Sequence, residues 1–337
     1  MTLASRSDLP RTSMRAVFPR EAGGPDVLMV EERPVPSPGE GQVLVEVAFA
    51  GVNRHDCNQR ARGTAPAGAT DILGLEVSGR VAAVGPGVTA PQLGDEVCAL
   101  TNGGGYAEYV LADAALCLPV PAGMSRQAAA ALPEALFTAW LNLVELCEIQ
   151  AGETVLVHGG ASGVGLITIQ LAQLFGADVL ATAGTDPRVE LCMLKGARAA
   201  FNYRETDFVE GVLKGTAGRG ADIIIDMAGG LYAERNLRAL AQDGRVTHLS
   251  SGGHPTFAAP LSLIMQKRAR ITGAQLRPLP GRRKHDIANL LKQRVWPELG
   301  KRIVPEVDRV FSLEEATSAH RRLESGENIG KVLLGAA

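Results

Sequence analysis

The chain is 337 residues long, 46% hydrophobic and 21% charged, with a formal net charge of −2. Such a composition suits a soluble protein of about two domains with enough apolar side chain to fill their cores. Neither sign of charge dominates, so nucleic acid and a membrane surface are not indicated as partners.

The opening MTLASRSDLPRTS lacks the apolar centre of a secretory signal and is expected to form a flexible tail over residues 1–13. Beyond it, GQVLVEVAFAGVN sets Val43, Val45 and Val47 against Leu44, Glu46 and Ala48, the alternation of a strand. GLEVSGRVAAVGPGV and GGGYAEYVLAD are further strand-and-turn units punctuated by glycine, so the first third reads as a twisted antiparallel domain. Tyr106 and Tyr109 read as sheet residues, or as proton donors if either hydroxyl faces a cleft.

RHDCNQRA reads as a helix, on which His55 and Cys57 point to different faces; surface packing is expected there rather than metal ligation. Cys57, Cys98, Cys117, Cys147 and Cys192 are scattered without a C-x-x-C, which fits a reducing cytoplasm better than a disulfide frame or a structural zinc site.

From about Ala128 the texture becomes helical. The longest apolar run, QAAAALPEALFTAWL, is broken by Pro133 and Glu134, short of the roughly 18 uncharged residues of a transmembrane helix. A strand–helix rhythm follows through TVLVHG, ADVLATAG, ARAAFNY, ADIIIDMAG, GRVTHLSS and ARITGAQ, predicting an α/β doubly wound fold with six parallel strands. The remainder returns to mixed helix and strand, and Ser312 with Glu315 in FSLEEA reads as a capping box.

The stretch TVLVHGGASGVGLITIQLAQLFG has strand, glycine turn and helix in the order of a dinucleotide site. Gly160 makes the tight turn, Gly165 lets the helix pack on the sheet, and Ser162 takes the place of the middle glycine. A serine still permits close backbone approach and adds a hydroxyl donor for a pyrophosphate at the start of the helix beginning near Val164, between Gly163 and Gly165. At the end of the next strand Ala183, Gly184 and Thr185 stand where an NAD enzyme carries an acid, and Asp186 is expected to cap the following helix. That absence favours NADPH, with Arg188, Thr185 and Tyr203 as candidates for its 2′-phosphate; Arg188 is otherwise a solvated helix residue. Ser250, Ser251 and Gly252, and Ala274, Gln275 and Leu276, lie at the ends of later strands, where open sheets bind ligands.

Taken in order, AGVNRHD, LGLEVSGRVAAVG, GDEVCAL, GGYAEYV, LPEALFTAW, VLVHGGASGVG, TAGT, GARAAFNYR and NIGKVLL resemble the quinone oxidoreductase (zeta-crystallin-like) branch of the medium-chain dehydrogenase/reductases, from about Met14 to Leu334. The resemblance implies a GroES-like β-rich catalytic domain of residues 14–135 and 278–337, interrupted by a Rossmann cofactor domain of residues 136–277. It further implies NADPH in the cleft between them and a homodimer. The apolar strand ARITGAQLR, expected at the edge of the Rossmann sheet, is the candidate dimer contact.

In zinc-dependent relatives the positions of Asn53 and Leu75 carry a cysteine and a histidine ligand, so catalytic zinc is not expected. Without a Lewis acid, the expected acceptor is a quinone or another electron-poor conjugated carbonyl. An enone or 2-alkenal C=C reductase, and a nucleotide-binding protein with little turnover, stay open as alternatives. The resemblance places Asn53 and Asp56 in the catalytic site and Asn53, Asn58 and Thr138 at the nicotinamide. Asn53 would steady charge on the substrate oxygen or, alternatively, cap the helix that follows it. Asn58 stands where several relatives carry tyrosine, which implies a roomier or more polar pocket.

Overall fold

The computed structural model describes residues 11–66 and 68–336. The chain divides into two compact units: Met1–Glu134 with Gly281–Gly300 and Pro305–Ala337, and Ala135–Pro280 with Lys301–Val304. Lys301–Val304 thus groups with the second unit, where Val304 N–H donates to Gln170 Oε1 (2.8 Å) and Gln170 Nε2 donates to Val304 O (3.2 Å). No helix among the described residues is long and apolar enough to cross a membrane.

The first unit opens with an antiparallel pair, β1 (Ser13–Pro19) and β2 (Leu28–Pro34). Residues 1–10 of the expected tail lie outside the described residues. Ser13 is already in β1, and Arg11 pairs with Glu108 (3.2 Å). There follow β3 (Gln42–Val52), helix α1 (Arg54–Arg62), β4 (Glu76–Val84), β5 (Glu96–Leu100), β6 (Tyr109–Asp113) and β7 (Cys117–Pro119). Gly63, with φ of 67°, ends α1 in the left-handed conformation that an L side chain resists.

In the second unit β8 (Thr154–Val157) leads into helix α2 (Gly163–Leu174), and β9 (Asp178–Ala183) into helix α3 (Asp186–Leu194). Then come β10 (Ala199–Asn202), β11 (Ala221–Asp226), β12 (Leu240–His248), helix α4 (Leu261–Lys267) and β13 (Arg270–Gly273). The six strands are parallel in the order β10-β9-β8-β11-β12-β13, so the order reverses between β8 and β11. Val155 to Val157 and Ile223 to Ile225 are buried continuously, as expected of strands covered on both faces.

The chain then returns to the first unit with β14 (Val307–Ser312) and β15 (Lys331–Gly335). These complete a seven-stranded sheet of order β14-β15-β3-β4-β5-β7, with β6 also on β3. Its core is packed from alternate residues such as Val43, Val45, Val47, Val77, Val332 and Leu334. The capping box at Ser312 forms, with Ser312 N–H donating to Glu315 Oε2 (2.9 Å).

Candidate functional site

In the second unit the sheet's strand order reverses where β8 meets its glycine turn. A Cβ on Gly160 would stand 2.8 Å from Cys192 Sγ and 2.9 Å from Ala181 Cβ; one on Gly165 would overlap the carbonyl oxygens of Gly159 and Gly160. Helix α2 starts one residue earlier than expected, at Gly163, with Ser162 as its N-cap. Gly163 and Val164 hold first-turn N–H groups that have no intrahelical acceptor. Ser162 Oγ accepts from Gly165 N–H (3.0 Å) and donates to Met227 Sδ (3.5 Å). Its oxygen therefore caps the helix through a lone pair, while its proton is turned toward the Met227 thioether.

At the end of β9, Tyr203 lies over Gly184, where a Cβ would come 2.6 Å from the phenol oxygen. Thr185 rather than Asp186 is the N-cap of α3. Asp186 occupies the first helical position, and its carboxylate accepts from Asn202 Nδ2 (2.9 Å). Arg188 is half-buried in the first turn, and Tyr203 is 38% exposed.

Farther along the same edge, beyond β11, β12 and β13, lies a cavity of about 410 Å³. Ser250, Ser251, Ala274 and Gln275 line it, together with His248 and Phe257. Gly252 instead packs its backbone on Ala228 O, and Leu276 is buried at 6% exposure, so neither presents a side chain to the cavity. Thr138 lies in the last turn of an α-helix, Pro133–Ala139, that continues as a π-helix over Trp140–Leu146. Asn142 in that wide turn donates to Thr138 O (2.9 Å) and accepts from Thr247 Oγ1 (2.7 Å), tying the helix to β12.

In the first unit Asn53 begins α1 and is buried. Its Nδ2 donates to Glu76 Oε1 (2.9 Å) and Gly51 O (3.4 Å), and its Oδ1 accepts from Lys331 Nζ (2.5 Å). Lys331 also pairs with Glu76, which is wholly buried and accepts from Glu134 N–H (2.9 Å). Both amide hydrogens of Asn53 are thus taken within the unit, which removes it as an oxyanion donor in this conformation.

Asp56 is 1% exposed and accepts from Asn53 N–H (2.8 Å), Gly74 N–H (3.0 Å) and Tyr106 Oη (3.3 Å). Burial pushes its carboxyl up to about 6, against the pull of those donors and of Lys331. The carboxylate is saturated, so Asp56 acts as an organiser of α1. Arg60 can only donate, so His320 Nδ1 accepts from it (3.0 Å), which leaves Nε2–H for Tyr106 Oη (3.2 Å). Burial and the charge of Arg60 hold His320 neutral, its pKa lowered to about 3. Tyr106 is fully buried in this chain, and Tyr109 is 4% exposed. Asn58 lies on the exposed face of α1.

Comparison with known proteins agrees with this division. Residues 39–122 match the alcohol dehydrogenase GroES-like domain and residues 163–293 match the zinc-binding dehydrogenase family. Quinone oxidoreductase of Rattus norvegicus is 33% identical over 95% of this chain and 97% of its own. A solved structure of Escherichia coli quinone oxidoreductase complexed with NADPH is 29% identical, with a TM-score of 0.84 over 96% of this chain and 99% of that one. A solved NAD-dependent alcohol dehydrogenase is 32% identical, with a TM-score of 0.84 over 96% and 100%. The chain belongs to the quinone oxidoreductase branch of the medium-chain dehydrogenase/reductases.

Within this quinone oxidoreductase branch member, four side chains at the two sites escape a reading from sequence. Glu76 and Lys331 lie 255 positions apart by their numbers, and only the β15–β3–β4 pairing joins them. His320 sits on a helix that reads as an ordinary amphipathic segment. His248 closes a strand of mixed character, LAQDGRVTH, in which a polar residue at the C-terminal end does not stand out.

Proposed function

We propose that the chain is an NADPH-dependent reductase of quinones and related electron-poor conjugated carbonyls that works without zinc. The observation that carries the reading is the turn after β8. Backbone fills the space of any side chain at Gly165, and the first-turn N–H groups of α2 stand at the reversal of strand order, where such sheets take a pyrophosphate. NADPH is favoured over NADH because Asp186, the acid nearest the end of β9, is engaged by Asn202. The 2′-phosphate would then meet Thr185, Arg188 and Tyr203.

NADPH supplies a hydride; the chain binds and orients it and shields the site from water. Zinc independence is supported by the donor set in the first unit. Asn53 Oδ1 already takes the Lys331 ammonium, and that charge beside Glu76 opposes a second cation. A homodimer through the second unit is supported by β13, which ends its sheet with Ile271 37% exposed, and by α4, whose Leu261 and Met265 are 74% and 71% exposed.

The test is oxidation of NADPH and NADH with 1,4-benzoquinone, 9,10-phenanthrenequinone and 1-octen-3-one, with metal analysis of the same preparation. Expected are turnover with the quinones, kcat/KM at least about tenfold higher for NADPH, and erosion of that ratio by about 1–2 kcal/mol in Arg188→Ala. Equal kcat/KM for the two cofactors refutes the NADPH preference. Tight NADPH binding without turnover favours a binding protein, and stoichiometric zinc overturns the metal-free reading. Light scattering at micromolar concentration checks the dimer.

A further inference from the structure

Asp226, His248 and Gly273 form one row across the C-terminal edge of the second sheet. Asp226 is the register partner of His248 between β11 and β12, and His248 that of Gly273 between β12 and β13. Register partners in neighbouring strands point to the same face. The row therefore runs from a carboxylate to an imidazole to a position with no side chain. A Cβ at Gly273 would press on His248, 2.8 Å from its carbonyl oxygen and 3.3 Å from its Cβ. Both His248 and Gly273 line the cavity.

Asp226 is wholly buried and fixed from below. Its Oδ1 accepts from Ala228 N–H (2.7 Å) and Gly229 N–H (3.3 Å). Its Oδ2 lies 2.9 Å from His248 Nδ1, a close contact without the geometry of a hydrogen bond. Two lone pairs would repel at that distance, so the carboxylate favours the proton on Nδ1 and leaves Nε2 as an acceptor. Phe257 holds the ring edge-on, with centroids 5.4 Å apart. His248 Nε2 is buried and has no hydrogen-bond partner, an unusual condition for a polar atom beside a cavity.

Strand order says which part of a dinucleotide comes here. With the pyrophosphate at the turn after β8 and the adenosine half toward β9 and β10, the other half lies over β11 to β13. Neighbouring strands are about 4.8 Å apart, so β12 is about 10 Å from β8, within the span of a ribose and its pyridine ring. We infer that His248, oriented by Asp226, accepts a hydrogen bond from the carboxamide N–H of the nicotinamide and so selects a carboxamide-bearing cofactor. Asp226 is a positioning residue in this scheme. The inference rests on the dinucleotide reading above and adds a side-chain contact that the glycine turn does not predict.

The test is direct binding, by calorimetry or quenching of protein fluorescence, with three ligands: NADPH, its 3-acetylpyridine analogue and 2′-phospho-ADP-ribose. The analogue has no N–H on its side group, and the ADP-ribose has no pyridine ring. Wild type should bind NADPH about fivefold more tightly than the acetylpyridine analogue, the value of one neutral hydrogen bond. His248→Phe should bring the two within twofold of each other while leaving 2′-phospho-ADP-ribose affinity unchanged, which also shows the variant to be folded.

His248→Gln, which keeps an acceptor, should restore part of the discrimination. Asp226→Asn can donate to Nδ1, move the ring proton to Nε2 and abolish it. A wild-type ratio in His248→Phe, with 2′-phospho-ADP-ribose still bound, overturns this inference alone. Failure of wild type to bind 2′-phospho-ADP-ribose overturns the NADPH reading and this inference with it.

Discussion

Around Asn53 the buried polar side chains satisfy one another: Asn53, Asp56, Glu76, Tyr106, His320 and Lys331 all find partners inside the first unit. At the C-terminal edge of the second sheet, Asp226 Oδ2, Asn236 Nδ2 and His248 Nε2 have no hydrogen-bond partner. The first arrangement spends its hydrogen-bonding capacity on holding a helix and three strands together. The second keeps some in reserve, and at His248, which lines the cavity, that reserve is what a ligand can use. A family alignment of active-site positions would draw the eye to Asn53, yet the open valences lie at His248.

The sharpest way to break this contrast is to open the closed network. Lys331→Met leaves the Glu76 carboxylate buried without its cation and should cost about 3–5 kcal/mol in denaturant unfolding. Adding Glu76→Gln should recover at least half of that. A loss below about 1 kcal/mol in the single variant would mean that water reaches Glu76.

Gly165→Ala probes the other side. Its Cβ would overlap backbone oxygens, which cannot swing away, so we expect about 2 kcal/mol of destabilisation and a matching loss of NADPH affinity by titration. Normal stability and affinity would show the turn to be looser than it looks.

The third prediction uses pH. Asp56 in the folded chain takes its proton at about pH 6, above its ordinary value of 3.8, so the folded state binds more protons between those values. The stability this contributes is fully present below the ordinary value and is lost as pH rises through 6. From pH 7 to pH 5, wild type should therefore gain about 1 kcal/mol relative to Asp56→Asn in urea unfolding. A difference independent of pH would remove Asp56 from the buried network.

The smallest effect belongs to Ser162→Ala, which removes the cap on Gly165 N–H and should cost about 1 kcal/mol. Unlike a bulky substitution it should leave NADPH affinity within about threefold, since alanine still lets the backbone approach the phosphates and forfeits at most one hydroxyl donor. A tenfold loss of affinity with unchanged melting would mark the hydroxyl as a phosphate donor.

The six parallel strands were legible because each is a short apolar run followed by a helical segment, and the glycine turn because strand, turn and helix occur in order. The turn at Gly160 and Gly165 needed only local information. Asn53 did not: its two readings could be separated only by Glu76 and Lys331, which reach it through sheet pairing that spacing does not reveal. His248 was hidden for the same reason, because the register that sets it beside Asp226 and Gly273 depends on crossovers rather than on neighbours in sequence.

The pairing of β15 with β3 also orders events during synthesis. Asn53 and Lys331 are 278 residues apart, and the whole second unit, Lys301–Val304 included, is translated between them. A nascent chain can therefore close most of the second sheet while β3 still lacks one neighbour. Until Lys331 emerges, Glu76 has no ammonium beside it, so the first unit waits for its counter-charge as well as for a strand. Ribosome-bound intermediates of this protein should accordingly show a protected second sheet beside an unfinished first one, an edge that a chaperone would have reason to cover.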